Sequence, residues 1–443
     1  MHFGGHDTGD PLAEHKLPPR RYAWWIFTIL VSLMVVDYVD RQVIVSMFPH
    51  LKEEWSLSDG QLGGLVSIVS ITVALGTVPL SLLADRWSRV KSIVLMALVW
   101  SFATIACSFA RDYGHLLGAR ALVGLGEAAY GSAGAALLAS IFPTRLRSTV
   151  LGAFLAAGMA GSVAGVVLGG VIAEHWGWRA GFGAVGIPGL VLALLFLAVA
   201  RDEGAMAAPR AAGRRGMDLR SVLAGLLRPR TLLITCVGAG LQLVVVSTIW
   251  AWTPSYFNRY YGLAPDQAGI RTGLVVLTGG LGAVIWSIVA DRLTARHPLA
   301  RLHVPAIVAV LTTVFMGLAF GATGPGALQT ALIVVGAAVM TGTIGPVAAV
   351  SVDVVDPGLR ATATATLALT QNLLGLALGP LLAGVLSDNY GLPFAMAVTP
   401  FFCLGAAALF VVAARTYEAD ARVAASAALG APILLEEPEG ARP

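Results

Sequence analysis

Ser81-Leu82-Leu83-Ala84-Asp85-Arg86 closes one long apolar run, and Ser287-Ile288-Val289-Ala290-Asp291-Arg292 closes another roughly half a chain later. A second pair follows in the same order. Gly170-Val171-Ile172-Ala173-Glu174-His175-Trp176-Gly177 and Gly384-Val385-Leu386-Ser387-Asp388-Asn389-Tyr390-Gly391 agree in residue type at nearly every step. The chain is therefore an internal duplication, and the sequence around these phrases reads as two like halves.

Of the 443 residues, 57% are hydrophobic and only 12% charged, and the mean hydropathy is +0.78. That leaves too little polar surface to coat a water-soluble globule of this length. About 20 apolar residues cross a bilayer as a helix, and twelve such runs occur: 23–48, 61–84, 92–110, 116–141, 148–173, 180–200, 231–256, 267–290, 303–322, 328–350, 361–386 and 393–414. They are rich in Leu, Ala and Gly and lack the alternation of a membrane barrel. The expected fold is an all-α membrane protein of twelve transmembrane helices in two parallel six-helix halves. Its expected divisions are an amino-terminal segment 1–22, a first bundle 23–200, a linker 201–230, a second bundle 231–414 and a tail 415–443. Asp7, Asp10, Glu14 and three His occupy the opening segment. No cleavable signal is read there, so the first helix is expected to be retained.

If the spans alternate from the amino end, 22 of the 29 Lys and Arg fall on the side of the termini, 4 on the other side and 3 inside spans. The positive-inside rule then predicts cytoplasmic termini, in a bacterial inner membrane. This bias accounts for the net charge of +4 through contact with anionic membrane lipids, with no nucleic-acid partner. The linker, from Arg201 to Arg230, contains Met217, Leu219, Val222, Leu223, Leu226 and Leu227 among arginines, a pattern for a short amphipathic helix on the lipid surface. The tail after Arg415 reads as mobile.

Cys107, Cys236 and Cys403 fall in separate spans without paired spacing and read as small apolar residues. His175, His297 and His303 are scattered, so neither a metal site nor an enzyme constellation is expected. A phosphate-binding loop and a soluble nucleotide domain are both missing from the sequence, which argues against ATP-driven work and any cofactor. Gly124-Leu125-Gly126 copies part of a dinucleotide fingerprint but sits inside an apolar helix with no strand before it.

Charge inside the spans carries the chemistry. Asp37, Asp40 and Arg41 lie within the first run, Arg120 and Glu127 within the fourth. Each costs about 2.5–3.5 kcal/mol at mid-bilayer, so function is the default reading. Asp37 and Arg41 share a helix face, as do Arg120, Gly124 and Glu127. At about 1.5 Å per residue, Asp37 and Glu127 come to similar depth. Three acids and two bases would leave one surplus negative charge, which suits either a proton site or a static ion-pair network.

The second half offers neutral polar groups instead: Gln242, Ser247, Thr248 and Tyr256 near Pro254, and Thr370, Gln371 and Asn372 in the eleventh run. Trp250 and Trp252 fit an interfacial belt. Gln242, Gln371 and Asn372 are either cavity lining or helix-to-helix hydrogen bonds. Arg271 stands alone near the start of the eighth run. Gly158, Gly161, Gly165, Gly169 and Gly170 in the fifth run, answered by Gly375, Gly379 and Gly384, allow close helix contact for packing or sliding.

Asp85-Arg86-Trp87-Ser88-Arg89-Val90-Lys91 resembles motif A of the major facilitator superfamily, with Ser81 and Ser88 at positions usually Gly. Together with Asp37-Tyr38-Val39-Asp40-Arg41, Arg120-Ala121-Leu122-Val123-Gly124-Leu125-Gly126-Glu127-Ala128 and Gly177-Trp178-Arg179, it makes the chain similar to the Spinster-like branch. The resemblance covers the membrane region, with the specific motifs all in the first half. It implies a monomeric secondary transporter that alternates access by rocking two halves, with lysophospholipids or sphingosine phosphates as cargo and proton coupling in some members. Residue by residue, it places proton coupling on Asp40 and Glu127, joined by Asp37, where Asn is usual. Substrate contact is expected from Arg41, Arg120, Gln242, Gln371, Asn372 and Tyr256. Gating is expected from Asp85, Arg86, Arg89 and Arg147, and from the repeat copy Asp291 and Arg292. The organic-anion symporter branch, with sugar acids or other carboxylates as cargo and proton or sodium coupling, shares the Tyr-x-Asp-Arg opening and is the alternative.

Overall fold

The computed structural model describes residues 18–200 and 224–428, with backbone alone at 82–86, 427 and 428. The described part is almost wholly helical and contains twelve helices long and apolar enough to cross a membrane. They are α1 (Arg20–Trp55), α2 (Asp59–Ser81), α3 (Arg89–Ser108), α4 (Tyr113–Ile141), α5 (Thr144–Trp176), α6 (Trp178–Val199), α7 (Arg230–Tyr261), α8 (Pro265–Thr294), α9 (Ala300–Gly321), α10 (Ala327–Asp353), α11 (Pro357–Tyr390) and α12 (Leu392–Ser426). Every helix starts before the apolar run that predicted it, because hydropathy marks the hydrocarbon zone while the backbone stays helical into the polar flanks.

In α1 the overrun includes a change of pitch. Its α-helix, Arg20–Val43, tightens to a 3₁₀ turn at Ile44–Met47 and resumes as Phe48–Trp55. Pro49 lacks an amide hydrogen and its ring crowds the preceding turn, which accounts for the local change of pitch. Ser56, at φ 51°, ends the run in the left-handed region.

The duplication is visible in the breaks as well as in the phrases. α4 is interrupted between Glu127 and Tyr130, and α10 is interrupted between Met340 and Ile344. α11 contains a π-helical stretch at Gln371–Ala377, a feature that often accompanies function. Ser88 caps α3, its hydroxyl accepting from the Lys91 amide at 3.3 Å, so a small polar residue has local work where the resembled motif has Gly.

The glycines of α5 lie flat on α1. A Cβ on Gly161 would sit 2.4 Å from the Val35 carbonyl oxygen, and one on Gly165 2.7 Å from that of Val39. Only the missing side chains let the two backbones meet, and they meet on either side of Asp37. Gly124 has the same use, with Thr72 Oγ1 2.1 Å from its would-be Cβ. The Gly-Leu-Gly sequence is thus a packing device.

α2 packs on α11 and α5 on α8, joining the halves. The closest approach is at the end opposite the described termini, here the distal end. A Cβ on Gly63 would lie 2.3 Å from the Pro380 oxygen, and one on Gly170 2.4 Å from that of Pro265.

The expected mobile tail is corrected over its first part: residues 415–428 continue the α12 helix. Tyr417 donates its hydroxyl to Asp353 at 3.0 Å, and Asp420 accepts from the Thr231 amide at 2.9 Å, which ties this polar stretch to α10 and α7. The opening segment to residue 17, linker residues 201–223 with the first part of the amphipathic stretch, and residues 429–443 lie outside the described residues.

Candidate functional site

Asp37, Asp40 and Arg41 project from the last turns of the first α1 segment, and Arg120 and Glu127 from the first segment of α4. Glu127 is the final residue of that segment. Fourteen residues from Tyr113 place it about 21 Å along the helix. Gly124 and Gly126, on the turn before, bring α4 against α2 and α3.

The five groups meet. Arg41 Nη2 lies 2.9 Å from Glu127 Oε2, and Arg41 Nε 3.9 Å from Asp37 Oδ2. Arg120 Nη1 lies 3.3 Å from Asp40 Oδ2 and also donates to the Asp40 carbonyl oxygen at 3.3 Å. Asp37 and Glu127 thus share Arg41 as their counter-charge. Tyr38 adds its ring to the Arg41 guanidinium at 5.5 Å from the centroid. The cluster therefore consists of two linked ion pairs with a third acid.

Burial separates the two arginines. Arg120 is 1% exposed, like the acids around it, at 4% for Asp37 and Glu127 and 0% for Asp40. The Arg41 side chain retains 22% exposure. Arg120 is locked between α1 and α4, while Arg41 keeps part of its surface open. Beyond the ion pairs, Asp37 Oδ1, Asp40 Oδ1 and Glu127 Oε1 are buried without a hydrogen-bond partner among the described residues. Such atoms are costly unless a proton or water meets them.

The second-half residues are not gathered in one place. Gln242 is 1% exposed and donates to Thr312 Oγ1 at 3.2 Å and the Met340 carbonyl at 2.8 Å, joining α7 to α9 and α10 beside the α10 break. Tyr256 is 3% exposed, stacked on Tyr260, and its hydroxyl accepts from Gln329 at 2.9 Å. The bonds of both lie within the second half, and Gln242 Oε1 is buried without a partner among the described residues. Gln371 and Asn372 are half-buried in the π stretch that packs on α2 and α7. Asn372 donates to the Ala368 carbonyl at 2.8 Å, and its Oδ1 is buried without a partner among the described residues.

At the end near the termini, the side chains of Asp85 and Arg86 lie outside the described residues. Arg89 is half-buried, and Arg147 is exposed with its Nε donating to the Phe142 carbonyl at 3.3 Å. Asp291 and Arg292 are exposed and form no ion pair among the described residues.

The distal end carries a charge group that sequence reasoning missed. Asp59 accepts Arg259 Nη1 at 2.6 Å and Nη2 at 2.8 Å, and Lys52 Nζ at 2.6 Å. Ser387 also donates to it. Asp388 accepts the amides of Asp59 and Gly60 at 2.7 and 2.8 Å, a carboxylate set on the amino end of α2. Arg259, Ser387 and Asp388 belong to the second half, so these bonds latch the halves together. Asp388 stands in the quoted repeat, the one signal that pointed here.

Twelve apolar helices in two like halves, latched at one end and holding buried ion pairs, define a multi-pass integral membrane protein of the secondary-transporter class. A profile of the Major Facilitator Superfamily matches residues 30–377, and the chain belongs to that family. It is Spinster-like: Protein spinster homolog 1 of Xenopus tropicalis is 28% identical over 424 residues, covering 87% of this chain and 79% of that protein. A gallate transporter of Pseudomonas putida is also 28% identical, covering 94% and 96% of the two chains. A bacterial homologue of the human lysosomal transporter Spinster, inward-facing and unoccupied, shares the fold with TM-score 0.82 and 22% identity, covering 91% of this chain and 99% of that one. The family is one of transporters and not of enzymes.

Proposed function

We propose that the chain is a proton-coupled symporter for an amphiphilic or lipid-like anion, such as a lysophospholipid or sphingoid phosphate. The observation that carries the reading is the buried set of three acids facing two guanidinium groups, only one of which is accessible. An unmatched charge in such a site is expensive, and one bound proton shared among Asp37, Glu127 and Asp40 removes it.

Arg41 then links proton to cargo. With Glu127 ionised, Arg41 is held at 2.9 Å; with Glu127 protonated, it is free to meet an anion. Proton and anion binding therefore favour each other, which is the condition for symport. A pH gradient supplies about 1.4 kcal/mol per unit, and the membrane potential about 2.3 kcal/mol per 100 mV. In this reading the halves rock about the site, the Asp59 latch closes the distal side, and Asp85, Arg86, Arg89, Arg147, Asp291 and Arg292 close the other. Arg120 serves the site by holding Asp40 in place, and Gln371 and Asn372 line the cargo path.

The gallate transporter, matched over nearly the whole of both chains, favours a second reading: a symporter of small organic acids, driven by protons or sodium. Reconstitution in liposomes under an imposed pH gradient, with lysophospholipids, sphingoid phosphates and small carboxylates as the panel, separates the two. Uptake of the amphiphiles supports the first reading, and uptake restricted to small acids replaces it with the second.

A further inference from the structure

Arg271, which stood alone in the sequence, opens a different site. It lies six residues into α8, about 9 Å along the helix from its distal start. It is exposed and forms no ion pair among the described residues. It lines a groove of about 600 Å³ together with Tyr261 at the end of α7 and Thr330, Ala331 and Val334 on α10.

The two walls of the groove differ in chemistry. The polar wall is fixed: Tyr261 Oη donates to Gln329 Oε1 at 2.8 Å and lies 3.2 Å from Thr330 Oγ1. The other wall is apolar, formed by Ala331 and Val334, and Leu274, one turn beyond Arg271 on α8, is 56% exposed beside it. A guanidinium at the head of an apolar stripe matches a molecule with a phosphate at one end and a chain at the other. A free phosphate would gain nothing from Ala331 and Val334.

We propose that this groove binds the phosphate headgroup of an anionic membrane phospholipid from the distal leaflet. Arg271 is its counter-charge, and Ala331, Val334 and Leu274 flank the first methylenes of its chains. The site is separate from the buried charge cluster, and its occupant need not be the cargo.

The test uses the full purified chain, incubated with phosphatidylglycerol and examined by native mass spectrometry for retained lipid, with thermal unfolding as the folding control. Arg271→Gln should reduce retention about tenfold, the scale of a lost charge-assisted contact. Val334→Trp should reduce it comparably by filling the apolar side while leaving the charge. Inorganic phosphate should not compete. Equal retention by Arg271→Gln and the unaltered chain would overturn the proposal and leave Arg271 reaching for the interfacial water. Displacement by inorganic phosphate would overturn it in favour of a free-anion site. Should one variant fail to fold, the other decides alone.

Discussion

Asp59 at the start of α2 and Arg259 near the end of α7 pair across the two halves, 200 positions apart in sequence, through two bonds of 2.6 and 2.8 Å. The pair exists only when the distal ends are together. In the proposed cycle it breaks when the distal side opens, and so does the contact of Asp388 with the amides of α2.

Arg259→Ala should loosen the distal end without unfolding the protein. Losing a charge-assisted pair in a half-buried setting costs about 1–2 kcal/mol, a roughly 5- to 30-fold shift in the balance of states. Faster labelling of single cysteines placed at the distal ends of α2 and α11 measures it. Unchanged labelling would make the pair incidental.

Two glycines separate stability from conformation. Gly161→Leu forces a side chain onto the Val35 carbonyl within the first half, where a Cβ already lies at 2.4 Å, and should lower the thermal unfolding midpoint by the equivalent of about 1–3 kcal/mol or more. Gly384→Ala meets the Asp59 carbonyl of the other half at 2.3 Å. It should leave the midpoint nearly in place and shift the population away from distal closure, read by the same labelling.

The two arginines of the cluster should respond differently to removal. Arg120→Ala strands Asp40, which is fully buried, and should cost about 3–5 kcal/mol of stability. Arg41→Ala, at a side chain 22% exposed, should cost less and weaken binding of an anionic cargo. Thermal unfolding and equilibrium binding of a lysophospholipid on each variant check the contrast, and equal behaviour would contradict it.

Much of this was legible in the residues because lipid is a demanding solvent. Charges such as Glu127 inside an apolar run are conspicuous, helical spacing puts Asp37 and Arg41 on one face, and a repeated phrase reveals the duplication. The distal latch was hidden because its partners lie in different halves, and Asp59 and Arg259 at helix ends look like ordinary interfacial charges. Gln242 shows the limit of residue type: an amide that lines a cavity and one that joins three helices look alike until its partners, Thr312 and Met340, are seen. The stretch 415–428 was misread because its polarity suggests a tail, whereas Tyr417 and Asp420 anchor it to the bundle.

Proton flux across the membrane of liposomes carrying the purified protein, followed with an internal pH dye while cargo is added under an imposed gradient, tests the coupling most directly. The unaltered chain should acidify the lumen in step with uptake. Glu127→Gln should abolish both the acidification and the response to the gradient while still exchanging labelled for unlabelled cargo. Gradient-driven uptake by Glu127→Gln at the unaltered rate would contradict the assignment of the proton to this cluster.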